Sequence, residues 1–135
     1  MGRAPERLIP ALRSLVCDAP LRLRVVGDCM TPNLSAGSTV EIAPLRLAWP
    51  GDIVAFAAAG RLVVHRVVGY RPRGRRLDLL VQADVSAIPD APVPLSRVLG
   101  RVRARVTLGQ RVSALGRFAR HVLARLRTRA GRALR

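Results

Sequence analysis

The spacing of apolar residues changes along the chain and divides it into elements. Over residues 7–16 the leucines recur at intervals of three and four, which is typical of one face of a helix. We therefore predict a short helix there, with Pro10 in its first turn, where proline is tolerated. From Leu21 onward apolar and polar residues alternate, and this period of two predicts a strand.

Five more short apolar runs follow this first strand, and turn-forming residues separate them. With no 10–15-residue helical pattern between the runs, the sequence indicates a mainly β fold and not a doubly wound α/β fold. About six short strands are therefore expected. The five later runs cover residues 39–43, 53–57, 62–68, 77–82 and 98–106.

After residue 108 the pattern becomes helical again. Apolar residues recur at spacings of three and four, with arginines on the rest of the wheel, which predicts a basic amphipathic helix. Its apolar stripe either lies on an anionic membrane, contacted through residues 111–129, or covers the sheet or the partner of a homodimer. The stripe consists of Val112, Leu115, Phe118, Val122 and Leu126.

These patterns predict three parts in a chain long enough to enclose one modest core. Residues 1–20 form an N-terminal helical arm. Residues 21–108 form the β domain, and residues 109–135 form the basic C-terminal helix. We see no internal repeat and no low-complexity linker.

The basic charge is concentrated at the C-terminal end. All 24 basic residues are arginines, and with eight acids the net charge is +16. Residues 1–96 hold 12 arginines and every acid (12 − 8 = +4), whereas residues 97–135 hold 12 arginines and no acid, giving +12. Such a segment suits an anionic membrane, an acidic protein or a nucleic acid. With only four aromatic residues to stack on bases, we expect no sequence-specific nucleic-acid binding.

The N-terminal residues and the cysteine count bear on the compartment. Charged residues and two prolines interrupt residues 1–16, so no signal-peptide core is expected there. No run approaches the roughly 18 apolar residues of a membrane-spanning helix. Two cysteines are too few for a disulfide framework. We therefore expect free thiols and a cytoplasmic location, with peripheral membrane contact as the alternative.

Two cysteines and two histidines are the candidates for nucleophilic and acid–base chemistry. Cys29 lies where a predicted strand gives way to a turn, and loops presented by a sheet often carry reactive groups. His65 interrupts an apolar strand, so its ring nitrogens need partners. Their scattered positions do not match a metal site, and we expect no metal and no cofactor. The four residues are Cys17, Cys29, His65 and His121.

Two carboxylates bracket the loop that follows the fifth predicted strand, and either one could orient a histidine. Asp84 and Asp90 are those residues. In a Cys–His–Asp relay the imidazole takes the thiol proton, while the carboxylate fixes the tautomer and stabilises the imidazolium. Spacing alone favours a structural role for His65 and a buried, inert Cys29 over such a relay.

Four segments, in the right order, resemble the motifs of the signal peptidase I and LexA-type superfamily of serine endopeptidases. The first is similar to the nucleophile box Ser-Met-x-Pro-x-Leu, with Cys29 where the family has serine. The second resembles the strand that follows, with Ser38 in place of Asp. The third resembles the Gly-Asp-Ile-Val-x-Phe box, and the fourth the base box. The segments are residues 27–34, 35–40, 50–56 and 64–69.

The resemblance is to the histidine branch of that superfamily, found in archaeal and endoplasmic-reticulum members. That branch has His-Arg-Val in the base box, as this chain does at His65, and the lack of lysine excludes the Ser–Lys dyad of bacterial members. The branch also has a loop ending in Asp, which residues 83–90 resemble. The resemblance implies the compact β fold of the family, a Cys29 nucleophile, a His65 base, and Asp84 or Asp90 as the orienting acid.

The implied function is cleavage of a peptide or protein precursor in trans by an endopeptidase. Apolar strand edges would bind the substrate as an added strand, with Met30, Pro32, Ile53 and Phe56 as contact residues. Two alternatives stay open. One is a catalytically silent homologue that captures a peptide without cutting it, and the other is a basic module that binds an anionic membrane or nucleic acid.

Overall fold

A seven-stranded antiparallel sheet is the centre of the computed structural model, which describes residues 4–24, 30, 34 and 37–134. Helix α1 (Ala4–Asp18) precedes the sheet and helix α2 (Leu108–Ala133) follows it. The prediction of a mainly β fold with a helix at each end is confirmed. The strands are β1 (Leu21–Arg24), β2 (Thr39–Ala43), β3 (Ile53–Ala58), β4 (Arg61–Arg73), β5 (Arg76–Gln82), β6 (Val93–Pro94) and β7 (Val98–Val102), in the order β1-β2-β7-β3-β4-β5-β6.

Some element boundaries differ from the prediction. Strand β4 continues past residue 68 to a two-residue turn at Gly74, whose φ of +59° suits glycine. Strand β6 is too short for its alternation to be visible in the sequence. Helix α1 begins at Ala4, so the placement of Pro10 in the first turn is wrong: Pro10 lies within the helix. It has no N–H to donate to the Glu6 carbonyl one turn earlier.

Strand β3 is buried on both faces because its alternate residues enter two apolar clusters. Ile53, Ala55 and Ala57 pack with Ile9 and Val16 of helix α1. The intervening side chains point to the other face of the sheet, where β4, β5 and β7 contribute apolar residues. This second cluster comprises Val54, Phe56, Val67, Leu79, Val81, Val93 and Val98, with Ala48 beside it.

A capping box fixes the start of helix α2 above strand β4. The Gln110 backbone N–H donates to Thr107 Oγ1 (3.2 Å), and the Thr107 N–H donates to Gln110 Oε1 (2.9 Å). Phe118 then packs over Gly69 of β4, and a Cβ at that glycine would overlap the phenyl ring. The close approach of helix and strand therefore depends on glycine at this position.

Helix α2 turns its apolar stripe away from the sheet. Val112 is 59% exposed, Leu115 51% and Leu126 54%. The expectation that the stripe covers the sheet is therefore wrong; of its five residues only Phe118 packs in the cluster with Val68 and Leu80. The less exposed face of the helix is formed by Arg111, Ala114, Arg117, Phe118, His121 and Arg125.

Two buried carboxylates next to strands β3 and β5 face the arginines of this helix, and Asp52 takes its cationic partner from it. Arg111 Nη1 lies 3.1 Å from Asp52 Oδ1, and Arg117 Nη1 lies 4.0 Å from Asp84 Oδ1. Both carboxylates are at least nine-tenths buried, and a buried charge without a partner is costly. The arginine face is therefore drawn inward at the expense of the apolar stripe. Neither helix of the described chain is both long and apolar enough to cross a bilayer.

Candidate active site

His65 and Asp90 form a contacting pair at the edge of a cleft. His65 lies on β4 opposite Val54 of β3, and its Nδ1 contacts Asp90 Oδ2. The His65 side chain is 13% exposed and that of Asp90 34%. A carboxylate at Nδ1 accepts the proton of that nitrogen, which leaves Nε2 as the acceptor. This is the tautomer that a general base needs.

The ring of His65 is held on a second side by Phe56. The two ring centroids are 5.7 Å apart with an interplanar angle of 70°, an edge-to-face arrangement. Phe56 is itself 2% exposed, so it cannot move aside without opening the core. The imidazole is therefore fixed by packing as well as by its carboxylate.

Hydrogen bonds within the loop between β5 and β6 position Asp90. The Asp90 N–H donates to the Val81 carbonyl (2.9 Å), which ties the end of the loop to β5. Gln82 Nε2 donates to the Ser86 carbonyl (2.7 Å), and the Ser86 N–H donates to the Ala83 carbonyl (3.0 Å). The loop thus folds back on the strand and places its last carboxylate beside His65.

Asp84, the other candidate acid, serves a different partner. Arg66 donates to its two carboxylate oxygens from Nε and Nη2, both at 2.8 Å, and donates from Nη1 to the Gly51 carbonyl at 2.7 Å. Arg66 and Asp84 are both buried, at 4% and 8% side-chain exposure. His65 and Arg66 thus find separate acids at the two ends of one loop. Of the two acids that the sequence offered, Asp90 is the one in contact with His65.

Gly51 and Asp52, the Gly-Asp pair of the third motif, fix the turn that precedes strand β3. Gly51 has a φ of +99° and donates its N–H to the Val67 carbonyl (2.8 Å). Asp52 is 2% exposed, and its Oδ2 accepts from the Trp49 N–H (2.9 Å). These contacts lock the turn before β3 against β4, so this pair holds the scaffold and lies apart from the cleft.

The cleft beside His65 has a volume of about 840 Å³ and mainly apolar walls. Such a volume is typical of sites that bind small molecules or a few residues of a peptide. Met30, which follows Cys29 in the chain, is 1% exposed and lines it. Among the residues that the structure describes, the lining comprises Leu23, Arg24, Met30, Val40, Phe56, Ala57, Ala58, Ala59, Arg61, Leu62, Val63, Val64, His65, Asp90, Ala91, Pro92, Val93 and Arg97.

The structure places some of the predicted substrate-contact residues at the cleft and one of them away from it. Met30 and Phe56 line the cleft, whereas Ile53 is buried in the cluster beneath helix α1. Strand β3 is hydrogen-bonded to β4 on one side and β7 on the other. The expectation of a free edge at Ile53 and Phe56 is therefore wrong, because both edges are occupied. Cys29 and Pro32 lie outside the described residues.

Two features of the cleft were not predicted from the sequence: the arginines at its rim and the position of strand β1 at the edge of the sheet. Arg24, Arg61 and Arg97 reach the lining from three separate elements. Strand β1, which supplies Leu23 and Arg24, pairs only with β2 in the described part of the chain. The alternation over residues 21–24 predicted the strand, but its position at the sheet edge depends on pairings that no local pattern encodes.

The second cysteine and the second histidine lie away from this cleft. Cys17 is an exposed free thiol on helix α1. His121 Nε2 is buried and has no hydrogen-bond partner among the described residues. Burial, together with the charges of Arg125 and Arg71, lowers the pKa of His121 below its usual value. No group of three metal-ligating side chains is found among the described residues.

No family model matches the chain, and no curated protein matches it.

Proposed function

We propose that the chain is a cysteine endopeptidase in which Cys29 is the nucleophile, His65 the general base and Asp90 the orienting acid. The observation that carries the proposal is the contact between His65 Nδ1 and Asp90 at the edge of a large apolar cleft. A histidine that only stabilised the core would not need a cleft beside its ring. Met30 lines the cleft, and Cys29 is the residue that precedes it in the sequence.

The proposed reaction has two steps that use the same three residues. His65 Nε2 takes the proton of the Cys29 thiol, and the sulfur attacks the scissile carbonyl. As the peptide C–N bond breaks, the imidazolium returns that proton to the leaving amine and a thioester remains. His65 then takes a proton from water, the hydroxyl attacks the thioester, and the proton returns to the sulfur. Asp90 stabilises the imidazolium in both steps.

The cleft favours an extended peptide with apolar side chains. The edge of β1 can accept a peptide as an additional strand, in which backbone hydrogen bonds give affinity and pockets give specificity. Leu23, Leu62 and Val63 offer apolar contacts along the wall. The arginines of the rim would favour substrates that carry a carboxylate near the cleaved bond.

A proteome-derived peptide library tests this function without a known substrate. The protein is incubated with the library, and new N-termini are identified by mass spectrometry. We expect cleavage that is lost in Cys29→Ala and retained in Cys17→Ala, which removes the other thiol. Cleavage that survives Cys29→Ala, or binding of library peptides with no cleavage by the wild type, would overturn the proposal, and the latter result would indicate a silent peptide-binding homologue.

A further inference from the structure

The outward face of helix α2 is an apolar surface with no partner among the described residues. Its exposed side chains extend over a helix of 26 residues, roughly 39 Å at 1.5 Å per residue. From Leu126 to Leu134 every residue is exposed, so the last turns of the helix leave the sheet entirely. The face, here called the outer stripe, consists of Leu108, Val112, Leu115, Ala119, Val122, Leu123 and Leu126.

Arginines border the outer stripe on both sides. At about 100° per residue, Arg129 flanks one side, and Arg120 and Arg127 flank the other. The helix carries seven arginines and no acid. An apolar stripe between two rows of cations is the pattern of a helix that lies in the plane of an anionic lipid surface, with its apolar side chains below the headgroups.

We infer that helix α2 docks the protein on an anionic lipid bilayer through the outer stripe. The inference goes beyond the proposed peptidase activity and does not depend on it. Charge complementarity selects this occupant: the seven arginines of one helix would repel those of a second copy. A nucleic acid would pair with the arginines but would leave the apolar stripe in water.

The inner face of α2 explains why the outer stripe is available for docking. Arg111 and Arg117 are engaged by Asp52 and Asp84, and Phe118 is packed on Gly69. To turn the stripe toward the sheet, the helix would have to take Arg111 away from the buried Asp52 carboxylate and Phe118 away from Gly69. The orientation of the helix is therefore fixed before any membrane is encountered.

A pair of tryptophan variants tests the docking face directly. The single native tryptophan is removed by Trp49→Phe, and a new one is placed at Ala119→Trp in the stripe or at Ala124→Trp on the far side. Both alanines are exposed in the same helix. With vesicles of phosphatidylglycerol and phosphatidylcholine, we expect a blue shift of the emission for Ala119→Trp and no shift for Ala124→Trp. Equal shifts, or none in either variant, would overturn the inference.

Vesicle co-sedimentation separates the lipid surface from the other occupants. We expect Leu115→Gln/Leu126→Gln to bind anionic vesicles at least tenfold more weakly than wild type, with unchanged helicity by circular dichroism. The matched control Leu47→Gln/Leu77→Gln changes two leucines of similar exposure (56% and 49%) outside α2 and should bind like wild type. Binding should also fall steeply with added salt.

Three results would contradict the inference. Equal binding to pure phosphatidylcholine vesicles would remove the role of the arginines. A concentration-dependent dimer that buries the stripe, without vesicle binding, would assign it to a second copy. Tight binding of duplex DNA with no binding to anionic vesicles would assign the helix to a nucleic acid.

Discussion

His65 and His121 are both partly buried histidines in elements that contact each other, yet their neighbours carry opposite charge. His65 on β4 has the Asp90 carboxylate on one ring nitrogen. His121 on α2 lies near Arg71 and Arg125, which together with burial lower its pKa. A carboxylate stabilises the imidazolium that forms when a base accepts a proton, whereas arginines destabilise it. Of the two histidines, His65 is the one whose neighbour stabilises a protonated ring.

The largest effect is expected when the two histidines are removed in turn. His65→Ala should lower kcat/KM for a library-selected peptide about 10²–10⁴-fold, the usual contribution of a general base. His121→Ala, the matched control, should leave it within about twofold, because that ring lies outside the cleft. The measurement is steady-state cleavage by both variants. A comparable loss in His121→Ala would break the distinction between the two regions.

The second prediction concerns the buried ion pair next to His65. Arg66→Met leaves the buried Asp84 carboxylate with Arg117 Nη1, 4.0 Å away, as its remaining cationic neighbour among the described residues. This change should lower the free energy of unfolding by about 3–5 kcal/mol. The control Arg22→Met removes an ion pair with Glu41 at 3.4 Å in which the arginine is 75% exposed. That change should cost less than about 1 kcal/mol. Urea denaturation followed by circular dichroism measures both, and equal losses would refute a buried structural pair.

The third prediction concerns the packing of helix α2 on strand β4. Gly69→Ala forces Phe118 away from β4 and should cost about 1–3 kcal/mol of unfolding free energy, as overpacked sites do. Gly116→Ala meets open space on the same helix and should raise stability by up to about 1 kcal/mol. Limited proteolysis should cut α2 faster in Gly69→Ala only. If both variants unfold at the same urea concentration, the packing described for Phe118 is incorrect.

The smallest effect is expected from the titration of His121. Because its folded-state pKa is depressed, the unfolded chain binds more protons as pH falls below about 6.5. The folded state should therefore lose stability as pH falls through that range, and His121→Gln should remove that share of the loss. The measurement is the difference in urea midpoint between variant and wild type at pH 8, 7, 6 and 5.5. If the urea midpoint of His121→Gln does not rise relative to that of the wild type as the pH is lowered, the arginine-rich environment described for His121 would be contradicted.

Local patterns predicted most of the strands because alternation is a local property. They also singled out His65 and the two acids, since a histidine in an apolar strand needs polar partners. They could not choose between Asp84 and Asp90, which lie on the same loop, because that choice depends on which side of β4 each end of the loop reaches. Arg66 claims one acid and His65 the other.

The orientation of helix α2 was beyond sequence reasoning for a different reason. Its amphipathic pattern predicts which residues share a face, but not which face the sheet prefers. That preference comes from Asp52, which is far away in sequence and takes Arg111 as its cationic partner, and from the packing of Phe118 on Gly69. The prediction of a free strand edge at Ile53 was wrong for the same reason, a contact between residues far apart in sequence. Strand β7 comes from a distant part of the chain and pairs with β3.

The most direct test of the central claim is the rate at which iodoacetamide alkylates each cysteine, followed by mass spectrometry between pH 5 and 9. We expect Cys29 to react at least tenfold faster than the exposed Cys17 near neutral pH. His65→Ala should bring Cys29 down to the rate of Cys17, Asp90→Asn should slow it, and His121→Ala should leave it unchanged. Equal rates for the two cysteines in the wild type, or a Cys29 rate unaffected by His65→Ala, would contradict the account.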